Sequence, residues 1–139
     1  MKLRWYTVVI DCLDPHAQAR WWAGALDGQI VYEADDEVVV IPGGLPEGYD
    51  HTVPIPAEQW HRQQPGLVFV TVPEGKEVKN RLHLDLAPHT EDDREAQIRR
   101  LLDSGATRVD VGQDEQQVGW TVLADPEGNE FCVLSSRST

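Results

Sequence analysis

The sequence predicts an α+β fold in which one βαβββ unit is written twice. A weak internal repeat at an offset of 76 residues sets Thr7 on His83, Asp14 on Thr90, Trp22 on Ile98 and Leu26 on Leu102. In each half, runs rich in Val and Thr flank one amphipathic helix, so strand ends, helix caps and helix cores repeat together.

In the first half, Tyr6 to Asp11 reads as a strand, and Asp14-Pro15 supplies an N-cap with proline at the first helical position. The helix should run from Pro15 to Leu26, with Ala17, Trp21 and Ala25 in one apolar row and Trp22 and Leu26 in the next. Gly28 stands where a left-handed helix stop is wanted. Two strands follow, Gln29 to Glu33 and Glu37 to Ile41, turning through Asp35-Asp36, and a fourth covers Gly66 to Val72.

In the second half, Arg81 to Leu86 is a strand and Thr90 is the expected N-cap. Glu91, Asp92 and Asp93 then lie at the positive end of a helix that Arg99-Arg100 complement at the other. Ile98, Leu101 and Leu102 form its apolar stripe and Ser104-Gly105 ends it. Ala106 to Asp110, Gly119 to Ala124 and Asn129 to Ser135 read as three further strands. One domain over 1–139 is expected, with modules at about 5–72 and 81–135.

Between the third and fourth strands of the first unit, Pro42 to Pro65 holds five of the nine prolines plus Gly43, Gly44 and Gly48. This is too long and broken for an ordinary hairpin loop. It reads either as a surface excursion or as a lid that carries Tyr49, His51, Trp60 and His61 over a pocket.

Composition narrows the function. The 139 residues, 40% hydrophobic, allow one compact core, and a net charge of −12 repels nucleic acid and anionic membranes. The longest apolar runs, such as Val38 to Ile41, are far short of a membrane span, and no basic-then-apolar leader opens the chain, so a cytoplasmic location is expected. Cys12 and Cys132, 120 positions apart, make neither a disulfide framework nor a metal knuckle.

Three blocks, Val9-Ile10-Asp11-Cys12 with Asp14-Pro15 and Trp21-Trp22, Lys79 to Leu86, and Asp125-Pro126-Glu127-Gly128-Asn129-Glu130-Phe131-Cys132, occur in an order that resembles the vicinal oxygen chelate superfamily, the glyoxalase, bleomycin-resistance and dioxygenase group. The likeness is strongest to its glyoxalase-like branch and covers Trp5 to Ser135 except Pro42 to Pro65. It implies two βαβββ units curling their sheets around a shared cleft, a homodimer, a small-molecule ligand and, in metal-using members, a divalent cation held by the first and fourth strands of each unit. Carried over, those positions fall on Thr7, the strand Leu67 to Val72, His83 and Cys132. Only His83 is an ordinary ligand there, so the four-ligand site looks dismantled; glyoxalase I and extradiol dioxygenase chemistry lose support.

Strand alternation shows what shares the face of His83. With His83 go Asp85, with Cys132 goes Glu130, and with Thr7 go Val9 and Asp11, so one imidazole and three carboxylates would converge. Mutually repelling acids beside a histidine suit general acid and base work. The rival use of the same atoms is a displaced divalent-metal site on His83 and two of Asp11, Asp85 and Glu130. The structural alternative has Asp11 bracing a turn and Asp85 pairing with Arg81. Cys132 should point into the cleft and Cys12 away from it.

Trp21 and Trp22 are expected in the core, while Trp120 and Trp60 are candidate pocket walls with Thr7 and Cys132. Two functions follow. One is acid/base or lyase-type chemistry on a small polar molecule by His83, Asp85, Glu130 and Asp11; the other is sequestration, without turnover, of a cationic or aromatic compound, as in bleomycin-resistance relatives.

Overall fold

The computed structural model describes residues 3–110, 112 and 114–139. The chain forms two compact units, the first ending at Glu74 and the second beginning at Gly75.

The first unit contains β1 (Thr7–Cys12), α1 (Pro15–Ala25), β2 (Gln29–Glu33), β3 (Glu37–Ile41), α2 (Ala57–Arg62) and β4 (Gly66–Thr71). Its sheet has the order β1-β4-β3-β2, with β1 parallel to β4 and the other pairs antiparallel. Alternation divides the sheet into two rows. Val38, Val40, Leu67 and Phe69 are buried with Ala19 and Trp22 of α1, while Thr7, Val39 and Val68 belong to the opposite row.

Asp14 caps α1 as expected, accepting from Ala17 N at 3.0 Å, and Trp21 and Trp22 are core residues. The helix buries Pro15, Gln18, Ala19 and Trp22 as its principal row and leaves Ala17 exposed. Its left-handed stop is Asp27, at φ 48°, rather than Gly28. Gly28 answers a different need, because a Cβ there would meet Val40 Cγ1 at 2.9 Å and Ile41 O at 3.1 Å.

The second unit contains β5 (Leu84–Leu86), α3 (Arg94–Asp103), β6 (Thr107–Arg108), α4 (Glu115–Val118), β7 (Trp120–Ala124) and β8 (Glu130–Leu134). Its sheet order, β5-β8-β7-β6, repeats that of the first unit strand for strand, again with one parallel pair. Ile98, Leu101, Leu123, Phe131 and Val133 are its buried core.

Two expectations change here. The cap of α3 is Asp93, whose carboxylate accepts from Ala96 N at 3.0 Å, and Thr90 lies in the preceding turn closed by Asp92 N donating to His89 O. The two helices therefore correspond with Asp14 at the place of Asp93, Ala19 at that of Ile98 and Trp22 at that of Leu101, each buried within its own unit, instead of Trp22 at the place of Ile98. Strand β5 is only Leu84–Leu86, which leaves His83 just outside it. Asn80 Nδ2 donates to the Glu130 carbonyl at 3.1 Å, so a side chain rather than a longer strand satisfies the start of β8.

The Asp-Pro-Glu-Gly-Asn turn between β7 and β8 is organised by Asp125, which is 2% exposed. Its carboxylate accepts from Glu127 N and Asn129 N at 3.0 Å and from Asn129 Nδ2 at 3.2 Å, while Gly128 takes φ 90°.

Candidate functional site

Within the second unit a cavity of about 420 Å³ opens on the row of the sheet that carries Trp120, Val122, Cys132 and Leu134. Their neighbours are Lys79, His83, Asp85, Glu130 and Phe131. The row of Trp120 is therefore the one that faces the cavity, a direction that alternation alone had left open.

His83 Nε2 lies 3.2 Å from Asp85 Oδ1, and both side chains are about half exposed, at 53% and 49%. The Asp85 partner is thus His83 and not Arg81. Asp85 pairs across the ladder with Cys132, and its carboxylate hydrogen-bonds the Cys132 thiol. Burial first, then the charge of Asp85 and this hydrogen bond, push the Cys132 thiol above its ordinary range. Asp85 contacts both the imidazole and the thiol, and a thiol whose pKa is raised is not one activated by a neighbouring base.

Glu130 behaves differently from the expected raised acid. Lys79 hydrogen-bonds its Oε2, and Lys76 Nζ is 3.8 Å from its Oε1. The Lys79 hydrogen bond, against the opposing effect of burial, holds the Glu130 carboxyl below its ordinary value. It is an ionised anchor for two lysines from the segment before β5. Lys79 opens one of the three sequence blocks, but no spacing along the chain pairs it or Lys76 with Glu130.

One nitrogen of His83, one oxygen of Asp85 and the sulfur of Cys132 lie within 4.8 Å of one another. A mixed N, O and S set of this spacing fits a borderline cation such as Zn²⁺ and is poorly suited to hard, oxygen-seeking cations.

The remaining expected residues belong to the first unit. Thr7 donates to Gly66 O at 3.0 Å and lines a cavity there. Trp60, half-buried on α2, stacks against the Arg4 guanidinium, which sits 4.9 Å from its ring centroid. Asp11 is exposed on β1, opposite Val70 of β4. Cys12 is buried and, like Cys132, carries a reduced thiol. Among the described residues no helix is long and apolar enough to cross a membrane.

A sequence model of the glyoxalase-like domain family matches residues 7–134. Among solved structures, a glyoxalase/bleomycin resistance protein/dioxygenase family enzyme from Burkholderia phytofirmans PsJN is similar, with 15% identity, 96% of this chain and 98% of that one covered and a TM-score of 0.66. A mutant of the fosfomycin resistance protein FosX from Listeria monocytogenes, solved with Mn(II) and 1S,2S-dihydroxypropylphosphonic acid, shares 10% identity over 98% of this chain and 92% of that one, with a TM-score of 0.67. FosX from Mesorhizobium loti gives 12% identity, coverage of 96% and 92% and a TM-score of 0.65. At these identities the likeness is one of fold. Among curated proteins no sequence matches significantly.

Proposed function

Given that the chain belongs to the glyoxalase-like domain family, we propose that it binds a small polar molecule in the cavity of its second unit and moves a proton on it with His83. The observation that carries this reading is the 3.2 Å contact of His83 Nε2 with Asp85 Oδ1 inside a cavity walled by Trp120.

Asp85 accepts from Nε2–H, which fixes the imidazole and leaves Nδ1 as the base. When Nδ1 takes a proton, the imidazolium is stabilised by the adjacent carboxylate. The Cys132 thiol, kept protonated, donates to that carboxylate and orients it. Glu130 holds Lys79 at the cavity wall, where its ammonium can stabilise negative charge developing on the ligand. Trp120 and Val122 supply apolar surface. Asp11 is assigned a part in the acid/base chemistry by strand alternation alone, and Thr7 and Trp60 a part in ligand contact on the first unit.

A divalent cation on His83, Asp85 and Cys132 would add Lewis acidity to the cavity. The donors suit zinc, and their residues would then serve as ligands. A homodimer in the cytoplasm completes the reading; it is supported by the family and by two reduced thiols, which suit a reducing compartment.

The test is exchange of solvent deuterium into a panel of small hydroxy- and keto-acids, followed by NMR. Wild type should label a member of the panel, and His83→Ala should slow labelling by about two to four orders of magnitude. The reading fails if wild type returns every ligand unlabelled and unchanged. Sequestration is the second reading, favoured by the pairing of Glu130 with two lysines, which takes that carboxylate out of acid and base work. It predicts a bound ligand whose affinity survives His83→Ala.

A further inference from the structure

The excursion between β3 and β4 folds back over the sheet of its own unit. Gly44, Leu45, Pro46 and Tyr49 line a cavity of about 450 Å³ whose floor is Val39, Ile41 and Val68. The roof is fastened at two points, Leu45 N donating to Gln29 Oε1 at 3.1 Å and Gln64 Nε2 donating to Pro42 O at 2.9 Å.

Arg4 forms one wall. Its guanidinium is held between two rings, 5.0 Å from the Tyr6 centroid and 4.9 Å from that of Trp60. It donates to Gln64 O at 3.3 Å, and its Nε is buried without a hydrogen-bond partner. A cation fixed flat by aromatic faces on the wall of a cavity is prepared for a carboxylate. Glu37 contributes the opposite charge to the same lining. Gly66 deepens the floor beside Thr7, since a Cβ there would meet Ile41 Cδ1 at 3.3 Å.

We infer that this cavity of the first unit binds a small aromatic acid with a hydrogen-bond donor at its far end. The carboxylate meets Arg4, the donor meets Glu37, and the ring lies on the aliphatic floor under Tyr49. Its size lies in the range typical of small-molecule sites. The inference uses residues of the first unit only and stands or falls separately from the His83 chemistry. Arg4, Tyr6 and the 42–65 excursion were no part of the blocks that carry the family likeness.

Calorimetric titration with 6-hydroxy-2-naphthoate tests it, with the neutral 6-hydroxy-2-naphthamide as control. Wild type should bind one molecule of the acid per chain, and the amide about tenfold more weakly or worse. Arg4→Gln should weaken the acid by a similar factor, Gly66→Ala should weaken both compounds, and His83→Ala should change neither. Absence of saturable binding at millimolar acid, or equal binding of acid and amide, overturns the inference. So does loss of binding in His83→Ala with Arg4→Gln intact, which would put the ligand in the second unit. Circular dichroism checks folding; were Arg4→Gln unfolded, Gly66→Ala and the acid-amide comparison would decide.

Discussion

Asp85 Oδ1 lies 3.2 Å from His83 Nε2, and the same carboxylate hydrogen-bonds the thiol of Cys132. One acid thus serves two partners of different chemistry. Removing its charge should release the thiol, because after burial it is the negative charge of Asp85 that most disfavours a thiolate at Cys132. Asp85→Asn is expected to make Cys132 several-fold to about tenfold more reactive toward iodoacetamide at fixed pH, as a shift of up to about one pKa unit requires. Mass spectrometry of alkylated peptides over a pH series gives the rates, and an unchanged rate profile would contradict the shared carboxylate.

The raised thiol also sets an alkaline limit on stability. The folded pKa of Cys132 lies above its ordinary value of 9.0, so its contribution is fully present below that pH and is lost as pH rises through the folded value. Urea unfolding at about pH 8 and about pH 10 should show a larger loss for wild type than for Cys132→Ala. Equal losses would place the thiol in a solvated setting instead.

Glu130 works in the opposite direction. Its folded pKa is depressed below 4.5, so its stabilisation is present above that pH and fades as pH falls through the folded value. Glu130→Gln should cost about 1 kcal/mol at neutral pH, a modest figure because Lys79 is 71% exposed and screened. The difference between variant and wild type should vanish in acid.

Arg94 ties α3 to two strands, donating to Leu134 O at 2.9 Å, Val133 O at 2.8 Å and Thr121 Oγ1 at 3.0 Å. Arg94→Ala should destabilise by about 2–3 kcal/mol, with little rescue by Lys, which cannot reproduce the planar fork. Equilibrium denaturation of the two variants provides the comparison.

Zinc should raise the melting temperature if His83, Asp85 and Cys132 take the metal, by an amount that grows with its concentration. Cobalt substitution adds a specific signature, a thiolate-to-metal absorption band that Cys132→Ser should abolish. Mn²⁺, a poorer match for sulfur, should shift the melting point less. A zinc shift retained in both His83→Ala and Cys132→Ser would exclude these donors.

Much of this architecture was legible where local chemistry decides it. Strands β2 and β3 fall on the expected Gln29–Glu33 and Glu37–Ile41, because β-branched runs with a short acidic turn leave little choice. The cap of α3 was misplaced by one turn, since Thr90 and Asp93 are both good caps and only Ala96 N shows which one is used. Helix α2 lay hidden in a proline-rich stretch whose flanking prolines obscured six helical residues. Part of the candidate site was legible: alternation put His83 with Asp85 and Cys132 with Glu130, and these four line one cavity, whereas the direction of Trp120 came only from the structure. The Lys79 clamp and the stacking of Arg4 are tertiary pairings between long flexible side chains, which no period along the chain encodes.

The parallel partner of β1 is β4, and Thr7 faces Gly66 from 59 residues upstream. On a ribosome delivering about 5–20 residues per second, the first strand therefore waits roughly 3–12 seconds for the strand it must join. During that interval Val8, Ile10 and Cys12 leave the exit tunnel with an unpaired edge, the state in which nascent chains recruit holdases. Inserting the long excursion before β4 lengthens this delay directly. Synonymous codon changes that slow translation across residues 42–65 should then reduce soluble yield without altering the finished protein.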